Sequence, residues 1–437
     1  MRGTERGPLR VAVLGGGWAG MAAAAELAAA GVAVTVLEAS RTLGGRARRV
    51  EVDGVALDNG LHILSGAYRE TLRLIELVGG AGAVERTLMR RPLEFAIGTR
   101  FHLRAPALPA PLHLAVGLLR ARGLGWRARI AAARMMQALR RSRYVLPKDL
   151  TVSALLDRHQ QPASLRRYLW EPLCTAALNT PPAHASAQVF ANVLRDGLDG
   201  SRADSDLLLP RVDFTTLFPD PAACFVAQRG GTLRTGCAAV SVSLMGTRFA
   251  VEADAVEQFS AVVCALPPFR VAQIAQRLAG LAPALAAVGA LRYEPIWSVY
   301  LQYEPDVRLP HPMLGLETGP GHWAFDRGAL LGQRGLIGVV ISAGGPHETL
   351  PQDEIARQVH TSLREQVRGL AQPNWTKVIA EKRATFACTP GVARPSQITP
   401  VPGFYLAGDY TASDYPATLE AAVRSGVACA RAILARG

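Results

Sequence analysis

The first forty residues set short apolar runs around one small-residue helix pattern. Arg10–Leu14 is an apolar stretch of the length of a strand buried on both faces. Met21–Ala30 is alanine-rich and reads as a helix, and Val32–Glu38 is a second apolar run that ends on an acid. Between the first strand and the helix, Gly15, Gly17 and Gly20 stand in G-x-G-x-x-G spacing. The order strand, glycine turn, helix, strand, acid predicts a βαβ unit for a dinucleotide. Gly15 permits the tight turn, Gly17 lets the backbone approach a pyrophosphate, and Gly20 allows close helix–strand packing. Trp18 and Ala19 fall at the helix N-terminus, whose N–H groups face the phosphates. Glu38 and Ala39 fall where the adenosine ribose is held. At this stage FAD and NAD fit equally.

Further along, Tyr68–Val78 has the spacing of an amphipathic helix and Pro92–Leu103 that of strands. Leu150–Asp157, Leu165–Ala177 and Ser186–Leu194 read as helices. Ala238–Leu244 with Arg248–Ala253 suggests a hairpin, Ala261–Leu266 a buried strand, and Val271–Val288 a helix. Ile296–Gln302 and Gly335–Ala343 read as strands and Asp353–Leu370 as a helix. Phe404–Ala407 is a last strand before a closing helix over Ala417–Leu434. The nucleotide-type strands thus sit at the start, middle and end of the chain. This predicts an α/β fold: a Rossmann-like dinucleotide domain (1–75, 225–270 and 395–437) interrupted by a mixed α+β substrate domain (76–224 and 271–394).

Composition narrows the class. The 437 residues carry a net charge of +13, yet Lys148, Lys377 and Lys382 are the only lysines. No basic run with interleaved aromatics occurs, which argues against nucleic acid. Six scattered cysteines form no C-x-x-C pair and no metal spacing with histidine, so a reduced cytoplasm and no metal are expected. Met1–Ala30 has the outline of a leader, but the glycine fingerprint inside it marks a nucleotide site instead. No run is long and apolar enough for a transmembrane helix.

Two more segments add site chemistry. In Gly44-Gly45-Arg46 the glycines allow close backbone approach, and Arg46 can grip a phosphate or carbonyl. In FYLAGDY…PATLEAAVRSG a strand leads to Gly408-Asp409, where the carboxylate suits a ribityl hydroxyl. Thr418 and Leu419 then open a helix toward a flavin carbonyl. With GGGWAG…LEAS, DNGLHIL and VVCALPP, these segments resemble the amine oxidase/phytoene desaturase superfamily of flavoproteins across essentially the whole chain. The resemblance implies noncovalent FAD, extended between two domains. It also implies that Val240 contacts adenine through its backbone and that Gly60, Leu61 and His62 lie beside the flavin.

The middle section narrows the resemblance. DNGLHILSGAYRETLRLIELVG, PLCTAALNTPPAHASAQVFANVLRDGL and SRADSDLLLPRVDFTTLFP are similar to the squalene-associated FAD-dependent enzymes, the hydroxysqualene dehydroxylases of bacterial hopanoid pathways. That implies a polyprenyl allylic alcohol, hydroxysqualene, reduced to squalene, and leaves room for a partner synthase that hands over the alcohol. Hydroxide leaves poorly, so an acid or polarising hydrogen bond is needed. His62, Asp204, Asp206 and Tyr415 are the candidate acids, and Asn179 is a candidate partner for the substrate hydroxyl. Each also has a plainer reading as a loop, cap or flanking residue. Amine oxidases usually place a lysine opposite the flavin, and this chain has none between Lys148 and Lys377. Carotenoid-type desaturation, amine oxidation and prenyl-lipid carriage without redox chemistry are the rival readings.

Ala105–Arg143 stands apart. Pro106–Leu119 is apolar and is followed by Arg120, Arg122, Arg127 and Arg129. That is the composition of an interfacial anchor on the inner face of the cytoplasmic membrane, or of a core helix with a solvated arginine face.

Overall fold

The computed structural model describes residues 9–436; the basic start Met1–Pro8, part of the leader-like segment, and Gly437 lie outside them. A five-stranded parallel sheet runs in the order Thr232–Thr235, Ala33–Glu38, Arg10–Leu14, Ala261–Cys264, Phe404–Leu406. Its central strand is sealed on both faces, with Val11–Leu14 fully buried, as an uninterrupted apolar run requires. The helix Trp18–Ala29 packs against the closing helix Leu419–Leu434. The two approach so closely at Gly426 that a Cβ there would meet the Ala19 carbonyl oxygen at 2.1 Å. Ser241–Met245, Arg248–Glu252 and Val256–Phe259 form a three-stranded antiparallel sheet that extends the expected hairpin by one strand.

The second unit is built on a seven-stranded sheet. Its order is Trp375–Phe386, Tyr293–Gln302, Leu336–Ser342, Trp323–Asp326, Met313–Gly315, Glu94–Ile97, Phe101–Arg104. Alternation along these strands separates two faces. Trp297, Val299, Leu301, Val339 and Ile341 pack on Ile355, Val359 and Leu363 of the helix Gln352–Gln366. Phe95, Ile97, Trp323, Phe325 and Val340 face the other way. They join the largest apolar cluster, which also takes in the helix Trp126–Arg141 and Leu14, Cys264 and Leu406 from the parallel sheet. One continuous core therefore links the carboxyl edge of the parallel sheet to the face of the seven-stranded sheet.

Several sequence expectations change. Val271–Val288 is two helices, Pro268–Ala275 and Ala282–Gly289, separated by a turn in which Gly280 takes φ +91°, with Pro283 in the first turn of the second. The twelve-residue strand Trp375–Phe386 was not expected. Its pattern is broken by Lys377, Glu381, Lys382 and Arg383, as suits an edge strand open to solvent. The closing helix begins at Leu419, where Thr418 Oγ1 accepts the Ala421 N–H at 3.2 Å. Parts of the segment 76–224 expected in the substrate region, Ala83–Leu88 and Leu208–Ala222, pack instead into the core beside the first helix.

Candidate functional site

The glycine turn is a backbone cradle. Gly15 sits at φ +104°, its N–H donates to the Leu37 carbonyl at 2.8 Å, and a Cβ at Gly20 would lie 1.9 Å from the Gly15 carbonyl oxygen. Gly17 has ordinary extended dihedrals and space: the nearest atom to a Cβ would be Gly45 Cα at 3.8 Å. The helix N-terminus behind it carries no side-chain cap, leaving its N–H groups for an anion. Glu38 closes the turn, accepting the N–H of Gly16 at 2.6 Å and of Ser40 at 2.7 Å. The Gly44-Gly45 turn lies alongside, with the Gly44 N–H donating to the Gly16 carbonyl at 2.9 Å. Trp18 donates its indole N–H to the Ala47 carbonyl at 3.1 Å, fastening the helix start to that turn. Ala39 is exposed beside Glu38. A cradle of this shape, with its acid in place, fits the adenosine diphosphate half of FAD.

Arg46 and Asp409, expected to hold separate parts of the cofactor, are bonded to each other at 2.6 Å, and Arg46 also donates to the Ala384 carbonyl. Burial works against the Arg46 charge, but Asp409 outweighs it and holds the guanidinium protonated. Gly408, at φ +152°, donates its N–H to Ser425 Oγ of the closing helix at 2.7 Å. Val240 is exposed, and its N–H is engaged by the Glu252 carbonyl at 2.7 Å, so only its carbonyl is open to an adenine. The chain that lies against Glu38 is Gly236-Cys237: the Cys237 N–H donates to the Glu38 carbonyl at 2.9 Å.

The loop Asp58–His62 is held from beneath. Asp58 accepts from Arg327 at 2.8 Å and from the Phe214 N–H at 3.1 Å, and both charged side chains are buried. Tyr300 donates its hydroxyl to the Asp58 carbonyl at 2.7 Å. Leu61 packs over Gly338, where a Cβ would come within 2.8 Å of it. His62 Nδ1 lies 2.8 Å from the Gly60 carbonyl, which can only accept, so Nδ1 carries the hydrogen. Burial lowers the His62 pKa, with Gly60 and Asp58 opposing and Arg46 reinforcing the shift. The neutral ring therefore presents Nε2 as an acceptor, which is the posture of a loop-shaping histidine and not of an acid.

The other candidates are dispersed. Asp204 accepts the Ser201 N–H at 2.7 Å in a capping box and pairs with Arg69 at 3.3 Å. Asp206 pairs with Arg90 at 3.3 Å. Asn179 is a left-handed helix terminus; its amide donates to Pro295 and Thr385 and accepts the Ala343 N–H at 2.7 Å, so no N–H is left for a substrate. Tyr415 lines a cavity of about 370 Å³ with Arg69, Arg195, Asp196 and Arg424. Burial and then Asp196 raise its pKa, so its phenol stays protonated.

Sequence reading missed Ser298. It is fully buried, its Oγ has no partner among the described residues, and it stands between Ile296 and Tyr300 on the face that Leu61 covers. Strand alternation predicts its direction, but only once the strand's partners are known. Also unforeseen, Glu94, His102 and His311 bring ligand atoms within 4.8 Å of one another. His102 bonds Glu94 at 2.8 Å and Arg91 approaches it at 3.6 Å, which makes this an ion-pair network whose arginine opposes a cation.

The chain matches the family model described as flavin containing amine oxidoreductase over residues 18–434. It is 27% identical to a hydroxysqualene dehydroxylase of Sinorhizobium fredii, covering 96% of this chain and 97% of that one. It is 28% identical to one of Rhodopseudomonas palustris (98% and 99% covered) and 26% identical to a zeta-carotene desaturase of Zea mays (96% and 83% covered). Among solved structures, an oxidoreductase from Methanosarcina mazei superposes with TM-score 0.75 at 15% identity (96% and 99% covered). A triple mutant of putrescine oxidase gives 0.75 at 18% (98% and 100% covered). The fold is that of these solved structures, and the chain belongs to the flavin-containing amine oxidoreductase family as an FAD-dependent oxidoreductase.

Proposed function

We propose that this chain reductively dehydroxylates hydroxysqualene, giving squalene. The observation that carries the reading is near-full-length similarity to three bacterial hydroxysqualene dehydroxylases. Reduced FAD, when bound, supplies a hydride. The allylic C–O bond breaks, the hydroxyl takes a proton and departs as water, and the same carbon accepts the hydride.

The protein's own residues then have three tasks. Gly15–Gly20, Glu38 and the Arg46–Asp409 pair fix the cofactor at the edge of the parallel sheet. The sheet face of Phe95, Trp323 and Phe325, continuous with that edge, excludes water and offers aromatic electron density to developing positive charge. A hydrogen-bond donor must polarise the leaving hydroxyl, and Ser298 Oγ, buried without a partner, supports that assignment better than the neutral His62. The similarity to carotene desaturases favours one rival, in which a polyene reduces the flavin.

Anaerobic mixing of photoreduced holoprotein with hydroxysqualene separates the two. Flavin reoxidation together with squalene by mass spectrometry is expected. Reduction of oxidised holoprotein by a polyene, with no response to the alcohol, would replace this reading by the rival.

A further inference from the structure

The helices Leu112–Arg120 and Trp126–Arg141 carry two apolar faces each. Inward, His113 and Gly117 of the first and Ala128, Ala132, Met135 and Leu139 of the second are buried. Outward, Leu112, Ala115, Val116 and Leu119 fall at i, i+3, i+4 and i+7, which is a second stripe, and its end residues Leu112 and Leu119 are half exposed or more. On the second helix Trp126, Ile130 and Ala133 repeat the pattern, with Trp126 66% exposed. No core demands these residues.

Both helices carry charge of one sign, and Asp199, which pairs with Arg140 at 2.5 Å near the end of the second, is an acid brought to them from elsewhere in the fold. Arg127, Arg134 and Arg141, seven residues apart, flank the outward stripe and are exposed, as are Arg120 at the end of the first helix and Arg122 between the two. Not one Asp or Glu occurs between Glu94 and Asp149. An apolar stripe rimmed by arginine, with aromatic Trp126 under the Arg129 guanidinium at 4.9 Å, complements a surface that is apolar inside and anionic at its boundary. A protein partner of such composition would need a dense acidic rim around an apolar groove; a bilayer of anionic lipid has both by construction. No described helix is long and apolar enough to cross a membrane, so contact is with one leaflet.

We infer that this face seats the protein on an anionic lipid surface, Trp126 and Ile130 entering the headgroup boundary and the arginines binding lipid phosphates. Leu114 and Leu118 of the first helix pack against the apolar cluster that takes in the inner side of the second and reaches Leu61, Trp323 and the edge of the parallel sheet. The seat is therefore continuous with the interior that a polyprenyl chain would occupy. Exposed apolar residues and arginine charge alone make this seat, and binding to it needs no turnover.

FAD-loaded protein is mixed with vesicles of phosphatidylglycerol or phosphatidylcholine and sedimented. Binding to phosphatidylglycerol that weakens with salt is expected. Arg127→Gln/Arg134→Gln/Arg141→Gln should partition roughly a hundredfold less, three basic residues' worth of surface attraction. Trp126→Ser/Ile130→Ser should also lose binding while keeping its flavin absorbance. Brominated phosphatidylglycerol should quench the wild-type tryptophan fluorescence, and Trp126→Phe should remove that quenching. Undiminished binding by both variants, or no quenching, would overturn the inference. So would a wild-type dimer, indifferent to vesicles, that Trp126→Ser/Ile130→Ser converts to monomer, since a second copy would then cover the face.

Discussion

Arg46 Nη2 lies 2.6 Å from Asp409 Oδ1, joining the turn after the second strand to the loop after the last one. Asp409 is almost buried, whereas the Arg46 side chain keeps about a third of its surface. Asp409→Ala leaves the arginine unpaired and should cost the apoprotein about 2 kcal/mol, below the cost at a fully buried pair because Arg46 is partly solvated. Flavin content per chain, read from absorbance, should fall in step. Restored content in Arg46→Ala/Asp409→Ala would show that the pair has no cofactor role.

The glycine turn yields a contrast between neighbours. Gly20→Ala drives a methyl into the Gly15 carbonyl oxygen at 1.9 Å and should cost about 3 kcal/mol in thermal unfolding. Gly17→Ala meets nothing nearer than 3.8 Å and keeps allowed dihedrals. It should fold with an unchanged apoprotein Tm but fail to take up FAD, because the methyl occupies the pyrophosphate's approach. Normal flavin binding by Gly17→Ala would place the phosphates elsewhere.

The buried pair Asp58–Arg327 supports the loop that ends at His62. Arg327→Met strands the carboxylate, and the expected loss is about 3–5 kcal/mol in urea unfolding. Asp58→Asn/Arg327→Met should recover much of it, since no uncompensated charge remains.

Acid should destabilise the fold through a buried histidine. His322 Nδ1 accepts the Ser342 N–H at 3.1 Å, and burial, helped by His347, lowers its pKa to about 4. The unfolded chain takes up this proton near the ordinary histidine value of about 6.5 and the folded chain does not. Stability is then full above that value and falls as pH drops toward 4. His322→Gln should flatten the slope of Tm against pH in this window, and an unaltered slope would assign it to other groups.

Much of the dinucleotide side was legible because its signals are local. Gly15, Gly17, Gly20 and Glu38 lie within one βαβ unit, and the structure keeps the strand–turn–helix–strand order that their spacing implied. The substrate side was read less well. Asn179 and Asp204 could be read as substrate groups or as caps, and the partners that decide for capping, Thr385, Ala343 and Arg69, are distant in sequence or hidden by turns. Ser298 sits in an ordinary strand, and only the pairing of that strand with Leu336–Ser342 reveals that its hydroxyl is shut away from water. The edge strand Trp375–Phe386 escaped notice because one open side lets charge interrupt its pattern.

The central strand Arg10–Leu14 pairs on one side with Ala33–Leu37 and on the other with Ala261–Cys264, and the sheet is finished only by Phe404–Leu406. During synthesis the phosphate turn thus exists long before the strand that covers its flank, and longer still before Asp409 reaches Arg46. Contacts so remote along the chain form late. The growing polypeptide must therefore keep an apolar strand edge unsatisfied through most of its elongation. This order makes the flavin a latecomer: it can be gripped at both ends only once the last strand has docked, so cofactor supply should govern how much finished protein survives rather than how the chain begins to fold.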